Sequence, residues 1–164
     1  MFKNLNYMFV SMFGIGSISK IPGSIASLTT VLFLLLLFHY LKVSASTFLI
    51  FLVIIFIISI FSINEFIKDK DNKDPKEVVI DEFIGQSIPI CLYEIGHPNT
   101  NSFVETLTVY FIIFILFRVF DITKPYPVSY YDKNFKNGFG VVMDDICAGL
   151  YVVAILVTYM ILLG

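Results

Sequence analysis

Residues 46–63 read STFLIFLVIIFIISIFSI, eighteen positions with no charge and no proline. A helix needs roughly 20 apolar residues to cross the hydrocarbon core of a bilayer, and this run nearly supplies them. Three other runs have the same character. Residues 25–41 contain VLFLLLLF and no charge, and 146–163 are also uncharged. Residues 103–120 contain YFIIFILF, with Glu105 near one end and Arg118 near the other. In lipid every backbone N–H and C=O has to be paired within the segment, which an open strand edge cannot do, so each run is expected to be a helix.

Composition agrees. Of 164 residues 57% are hydrophobic and only 15% are charged, where a soluble domain carries about 25% charged residues. Mean hydropathy is +0.86. A disordered chain, a coiled coil and a small disulfide scaffold are excluded. A net charge of −2 leaves no basic surface for nucleic acid. Cys91 and Cys147 sit in apolar stretches without metal-ligand spacing and read as reduced core residues. The fold expected is an all-α, multi-spanning helical membrane protein, one domain over residues 1–164.

A shorter run, 83–93 (FIGQSIPICLY), contains Gln86, Ser87 and Pro89. Its length suits a re-entrant or interfacial helix. Loop charge argues for delivery of the chain to the far side. With five crossings, the N-terminus and the 64–82 and 121–143 loops share one face. That face collects Lys3, Lys20, Lys68, Lys70, Lys73, Lys76, Arg118, Lys124, Lys133 and Lys136, and only Lys42 lies opposite. Such asymmetry marks a cytoplasmic face and a cytoplasmic N-terminus. Pro22, Gly23 and Ser24 precede the first long run, which is the wrong order for a signal peptide. Leu5, Met8, Phe9 and Met12 form an i, i+3, i+4, i+7 stripe, predicting a short amphipathic helix at the interface. KDKDNKDPKE at 68–77 reads as a solvated connector.

The polar residues gather at the ends of the spans. Asp81 and Glu82 start the short run, Arg118, Asp121 and Lys124 close the third long run at i, i+3 spacing, and Asp144 and Asp145 open the last. GIGSISKIPGS at 14–24 precedes the first. Five crossings bring all four groups to one boundary. A single acid there reads equally well as an N-cap, and the cations as interfacial anchors. Two pairs of adjacent acids exceed what capping needs, and carboxylates at membrane depth are costly enough to suggest a cation or substrate site. Mg2+ takes oxygen ligands, commonly one or two carboxylates plus phosphate oxygens. Asp81, Glu82, Asp121, Asp144 and Asp145 are the candidate catalytic acids, with Asp81, Glu82, Asp121 and Asp145 as the candidate metal ligands. Lys20, Arg118 and Lys124 could neutralise a phosphate, and Ser24 with the glycine-rich 14–24 turn could seat an anion on backbone N–H groups. Together these describe metal-assisted phosphoryl chemistry. A P-loop is absent, because Gly16 and Lys20 have the wrong spacing. Neither cysteine is followed five residues later by Arg, and the histidines, His39 and His97, fall in the first apolar run and on the opposite face.

VVIDEFIG at 78–85, FRVFDITKPYP at 117–127 and GFGVVMDDICAG at 138–149 resemble the phosphatidylglycerophosphatase A family, as does GIGSISKIPGSIAS at 14–27, with Ser24 where Thr is usual. The resemblance runs from about residue 10 to 155 and rests on four ordered blocks. It implies a Mg2+-dependent phosphatase of the bacterial cytoplasmic (inner) membrane, active on the cytoplasmic side, that converts phosphatidylglycerophosphate to phosphatidylglycerol. It points to the same five acids, with Arg118 and Lys124 flanking Asp121 and with Asp132 of second rank, and it does not divide metal binding from catalysis among them. The competing reading is an ion-coupled transporter or ion-binding subunit, whose carboxylates would lie near the bilayer midplane.

Overall fold

This computed structural model describes residues 2–18, 20–72, 75–97 and 102–163, and every regular element among them is helical. The elements are α1 (Phe2–Val10), α2 (Ile15–Ile18), α3 (Pro22–Leu35, continued by a π-helical turn Leu36–Tyr40), α4 (Ala45–Ile67), α5 (Ile80–Gly96), α6 (Phe103–Thr123), α7 (Val128–Asn134) and α8 (Gly138–Leu163). Four are long and apolar enough to span a membrane: α3 with its π turn, α4, α6 and α8. Only 22% to 39% of their apolar windows is buried inside the protein, so the outward-facing remainder needs lipid as its solvent. Lys73 lies outside the described residues.

Local chemistry starts and stops the helices. Pro22 occupies the first turn of α3, where its missing N–H has no helical partner to lose. A capping box opens α6: Ser102 Oγ accepts from Glu105 N–H at 3.3 Å and Glu105 Oε2 from Ser102 N–H at 2.8 Å. Lys124 ends α6 in the left-handed conformation (φ 44°), its N–H donating to Phe120 C=O at 2.9 Å. The stripe expected on the N-terminal helix has Leu5 and Met8 exposed, while Asn6 Nδ2 donates to Ser62 C=O at 3.0 Å and Tyr7 packs on Phe66, docking the other face on α4.

The short run is neither a hairpin nor a surface helix. α5 is one unbroken 17-residue helix at the centre of the bundle, packed on α3, α4, α6 and most extensively on α8. Its first turn lies beside the end of α6, and its last turn lies beside the end of the first span. There Glu94 Oε1 accepts from Tyr110 OH at 2.9 Å and meets His39 Nε2 at 3.1 Å. The polar letters that shorten the apolar run, Gln86 and Ser87, are fully buried against protein, so no lipid has to solvate them.

Close approach of α5 and α8 depends on two glycines. Pro89 lacks the N–H that would bond the Gly85 carbonyl. Gly149 sits directly against that carbonyl, and Gly85 in turn abuts the backbone of Asp145 and the ring of Phe117. A Cβ at either glycine would strike backbone. Gly85→Val is therefore expected to destabilise the protein by about 1–3 kcal/mol, the usual cost of overpacking, read as a lowered thermal midpoint in detergent.

Candidate active site

The acids of α5 are set by what precedes them. Val78 and Val79 are buried, and Val79 N–H donates to Val10 C=O at 2.9 Å, fixing the chain as the helix begins. Val79 is the N-cap and makes no side-chain cap, so Asp81 and Glu82 lie in the first turn without serving as caps. Asp144 and Asp145 do not open the last span, as the hydropathy pattern suggested. α8 begins eight residues before the uncharged run, at Gly138, whose N–H donates to Asn64 Oδ1 at 2.7 Å. The two acids thus stand about two turns inside the helix, buried at 5% and 3% exposure.

The approach of α5 to α8 brings Asp81, Glu82 and Asp145 together, with one carboxylate oxygen from each within 4.8 Å of the others. Among the described residues the buried Glu82 Oε2 and Asp145 Oδ2 have no hydrogen-bond donor. Ionised carboxylates this close repel by about 3 kcal/mol per pair at an effective dielectric of 20. Adjacent acids can escape that repulsion by sharing a proton or by sharing a cation.

The remaining charges are paired around this triad. Arg118 Nη1 meets Asp121 Oδ2 at 2.8 Å and donates to Ser27 Oγ at 3.3 Å. The guanidinium and the Glu82 carboxylate both crowd Gly23, so a side chain there would collide with them. Asp121 therefore lines the cleft bound to arginine and outside the close triad. Lys124, expected on the same helical face as Arg118 and Asp121, leaves the helix at its left-handed cap. Its Nζ donates to Asp132 Oδ1 at 2.6 Å and Asp144 Oδ2 at 2.7 Å. Burial would lower the pKa of this lysine, but Asp144 and Asp132 outweigh it and hold the pKa above the ordinary lysine value. Asp144 also accepts from Asp145 N–H at 2.9 Å, so the second acid of the pair orients the first.

Asp81, Glu82, Arg118, Asp121, Lys124, Asp144 and Asp145 line a cleft of about 810 Å³. Ser24 and Gly23 enter it from the start of α3, whereas Lys20 is exposed and is not among its lining residues. The glycine-rich turn contributes less than its letters suggested: Gly14 and Gly16 N–H both donate to Ser11 C=O. Gly16 serves packing instead, since a Cβ there would strike the Glu77 carbonyl. That contact belongs to the main residue group missed from sequence. Within the charged 68–77 segment, Lys70, Asn72, Pro75, Lys76 and Glu77 form one wall of the cleft. Its high charge masked this, because the same letters describe a solvated loop. Ile21 and Ile122, 63% and 68% exposed, supply an apolar lip at the α3–α6 side.

Hard oxygen donors, buried carboxylate oxygens without donors and three acids around one point fit a divalent cation such as Mg2+. Residues 8–160 match the family described as Phosphatidylglycerophosphatase A. A Haemophilus influenzae protein named Phosphatidylglycerophosphatase A is 32% identical over 145 residues, covering 87% of this chain and 81% of its own. An Escherichia coli protein of the same name is 30% identical over 144 residues, covering 88% and 77%. A Bacteroides thetaiotaomicron protein provisionally named a phosphatidylinositol-3-phosphatase is 41% identical over 81 residues, covering 48% and 45%. No solved structure matches significantly. With its acidic blocks folded into one cleft and the match running through nearly the whole chain, this protein belongs to the phosphatidylglycerophosphatase A family.

Proposed function

We propose that the protein, acting as one domain over residues 1–164, is a Mg2+-dependent lipid phosphatase. It hydrolyses the terminal phosphate monoester of phosphatidylglycerophosphate to phosphatidylglycerol and phosphate. The observation that carries this reading is the triad Asp81, Glu82 and Asp145 in a cleft with an apolar lip, at the end of the spans, in a chain of this family. A phospholipid keeps its acyl chains in the bilayer and presents its phosphate at that level.

Asp81, Glu82 and Asp145 would hold the ion, which when bound neutralises phosphoryl oxygens and the charge that develops on them. Asp121 lies beside this set and reaches it by leaving Arg118, so the pair can exchange partners when an anionic headgroup arrives. Arg118 offers a planar fork to phosphate oxygens. Lys124 keeps Asp144 in place and, through it, the backbone of Asp145. The first-turn N–H groups of α3 at Gly23 and Ser24 add donors. In-line displacement transfers phosphorus from the glycerol oxygen to water oxygen, and the glycerol leaves as the alcohol after taking a proton.

The lysine asymmetry supports a cleft on the cytoplasmic side, and membership of the family supports a bacterial inner-membrane location. A transporter is less well supported, since the acids lie within about two turns of helix ends. The deciding experiment incubates the purified protein with phosphatidylglycerophosphate and Mg2+, with phosphatidic acid and phosphatidylinositol 3-phosphate in parallel. Inorganic phosphate and phosphatidylglycerol are expected in equal amounts. Preferential hydrolysis of either other lipid, or of none, would overturn the reading.

A further inference from the structure

The cations nominated for phosphate are committed to the protein's own acids, Arg118 to Asp121 and Lys124 to Asp132 and Asp144. Two further cations line the cleft, Lys70 and Lys76, both on the charged 68–77 segment. Among the described residues neither makes an ion pair with a carboxylate. Lys70 Nζ lies 3.7 Å from the centroid of the Phe66 ring, a contact that positions the ammonium without neutralising it. The Lys76 end of the wall is anchored. Pro75 is buried, Val78 N–H donates to Pro75 C=O at 2.9 Å, and the Glu77 carbonyl is pressed against Gly16.

Charge balance gives these lysines a task. The cleft lining carries six carboxylates (Glu77, Asp81, Glu82, Asp121, Asp144 and Asp145) against four cations, two of which are Lys70 and Lys76. A divalent ion at the triad, together with Arg118 once it leaves Asp121, faces the phosphate that is cleaved. A headgroup that carries another anionic group still needs a counter-charge, and Lys124 is held by Asp132 and Asp144. Resting on the function proposed above, we infer that Lys70 and Lys76 bind the phosphodiester of the headgroup, the phosphate that is not cleaved. They thereby select lipids with two phosphates over lipids with one.

The test is steady-state kinetics of the full-length K70A/K76A variant on phosphatidylglycerophosphate, with phosphatidic acid as alternative substrate or competitive inhibitor. Losing two charge-assisted contacts is expected to raise KM by about tenfold or more with kcat within about twofold. The constant for phosphatidic acid should change less than about twofold, and K70R/K76R should recover most of the loss, because the charge is kept. K133A, on α7 and outside the cleft, should behave as wild type. An unchanged KM, a fall in kcat alone, or equal losses on both lipids would overturn the inference while leaving the phosphatase reading intact. A wild-type protein inactive on phosphatidylglycerophosphate would overturn both.

Discussion

Replacing Asp145 with Asn should lower phosphate release from phosphatidylglycerophosphate by about a hundred- to a thousandfold, the scale of losing one preorganised charge-stabilising group. Asp81→Asn should do the same. Asp145 is 3% exposed on α8, and one of its oxygens has no donor among the described residues, so its carboxylate is not there to complete a structural hydrogen-bond network. It lies within 4.8 Å of two other carboxylates, an arrangement that costs stability unless a cation is shared. An asparagine removes one negative charge and offers an amide donor to Glu82 or Asp81. The melting temperature in metal-free buffer should therefore hold or rise as activity collapses, a trade of stability for function. Circular dichroism and thermal melts would separate this from misfolding. Near-normal turnover in both variants would refute the assigned site.

Chelation should have a comparable effect. EDTA is expected to bring turnover to background and added Mg2+ to restore it, because three acids of one sign around one point cannot organise a phosphate dianion unaided. A readout independent of catalysis is available. An ion at about 100 times its Kd stabilises the folded state by about 2.7 kcal/mol, so Mg2+ should raise the melting temperature of the wild-type protein. Asp145→Asn should lose most of that response. Turnover that persists in EDTA, with a melting temperature indifferent to Mg2+, would exclude the metal site.

The apolar runs disclosed four helices because lipid imposes a one-dimensional rule: enough consecutive apolar residues, with backbone groups paired internally. Their boundaries were less visible. Gly138, Phe139 and Gly140 look like loop letters, yet α8 begins there, because Asn64 accepts the Gly138 N–H and the Ile60 carbonyl leaves room only for a glycine. α5 fell below the usual spanning length because Gln86 and Ser87 interrupt its hydropathy. The cost of those residues vanishes at the centre of a bundle, a place that hydropathy does not report.

Hydropathy and the four motif blocks were enough to establish a helical membrane chain of a known family and to nominate its acids, since both signals are carried by residues near one another along the chain. How those acids are partnered was not written there. Asp121 and Arg118 pair along one helix, Lys124 turns aside to Asp132 and Asp144, and Asp81, Glu82 and Asp145 meet because Gly85 and Gly149 let two helices touch. The conversion of a charged connector into the wall of the cleft has the same origin, a carbonyl of Glu77 resting on Gly16. Such contacts join residues far apart along the chain, 64 positions from Asp81 to Asp145, and they follow from how closely backbones can approach in three dimensions.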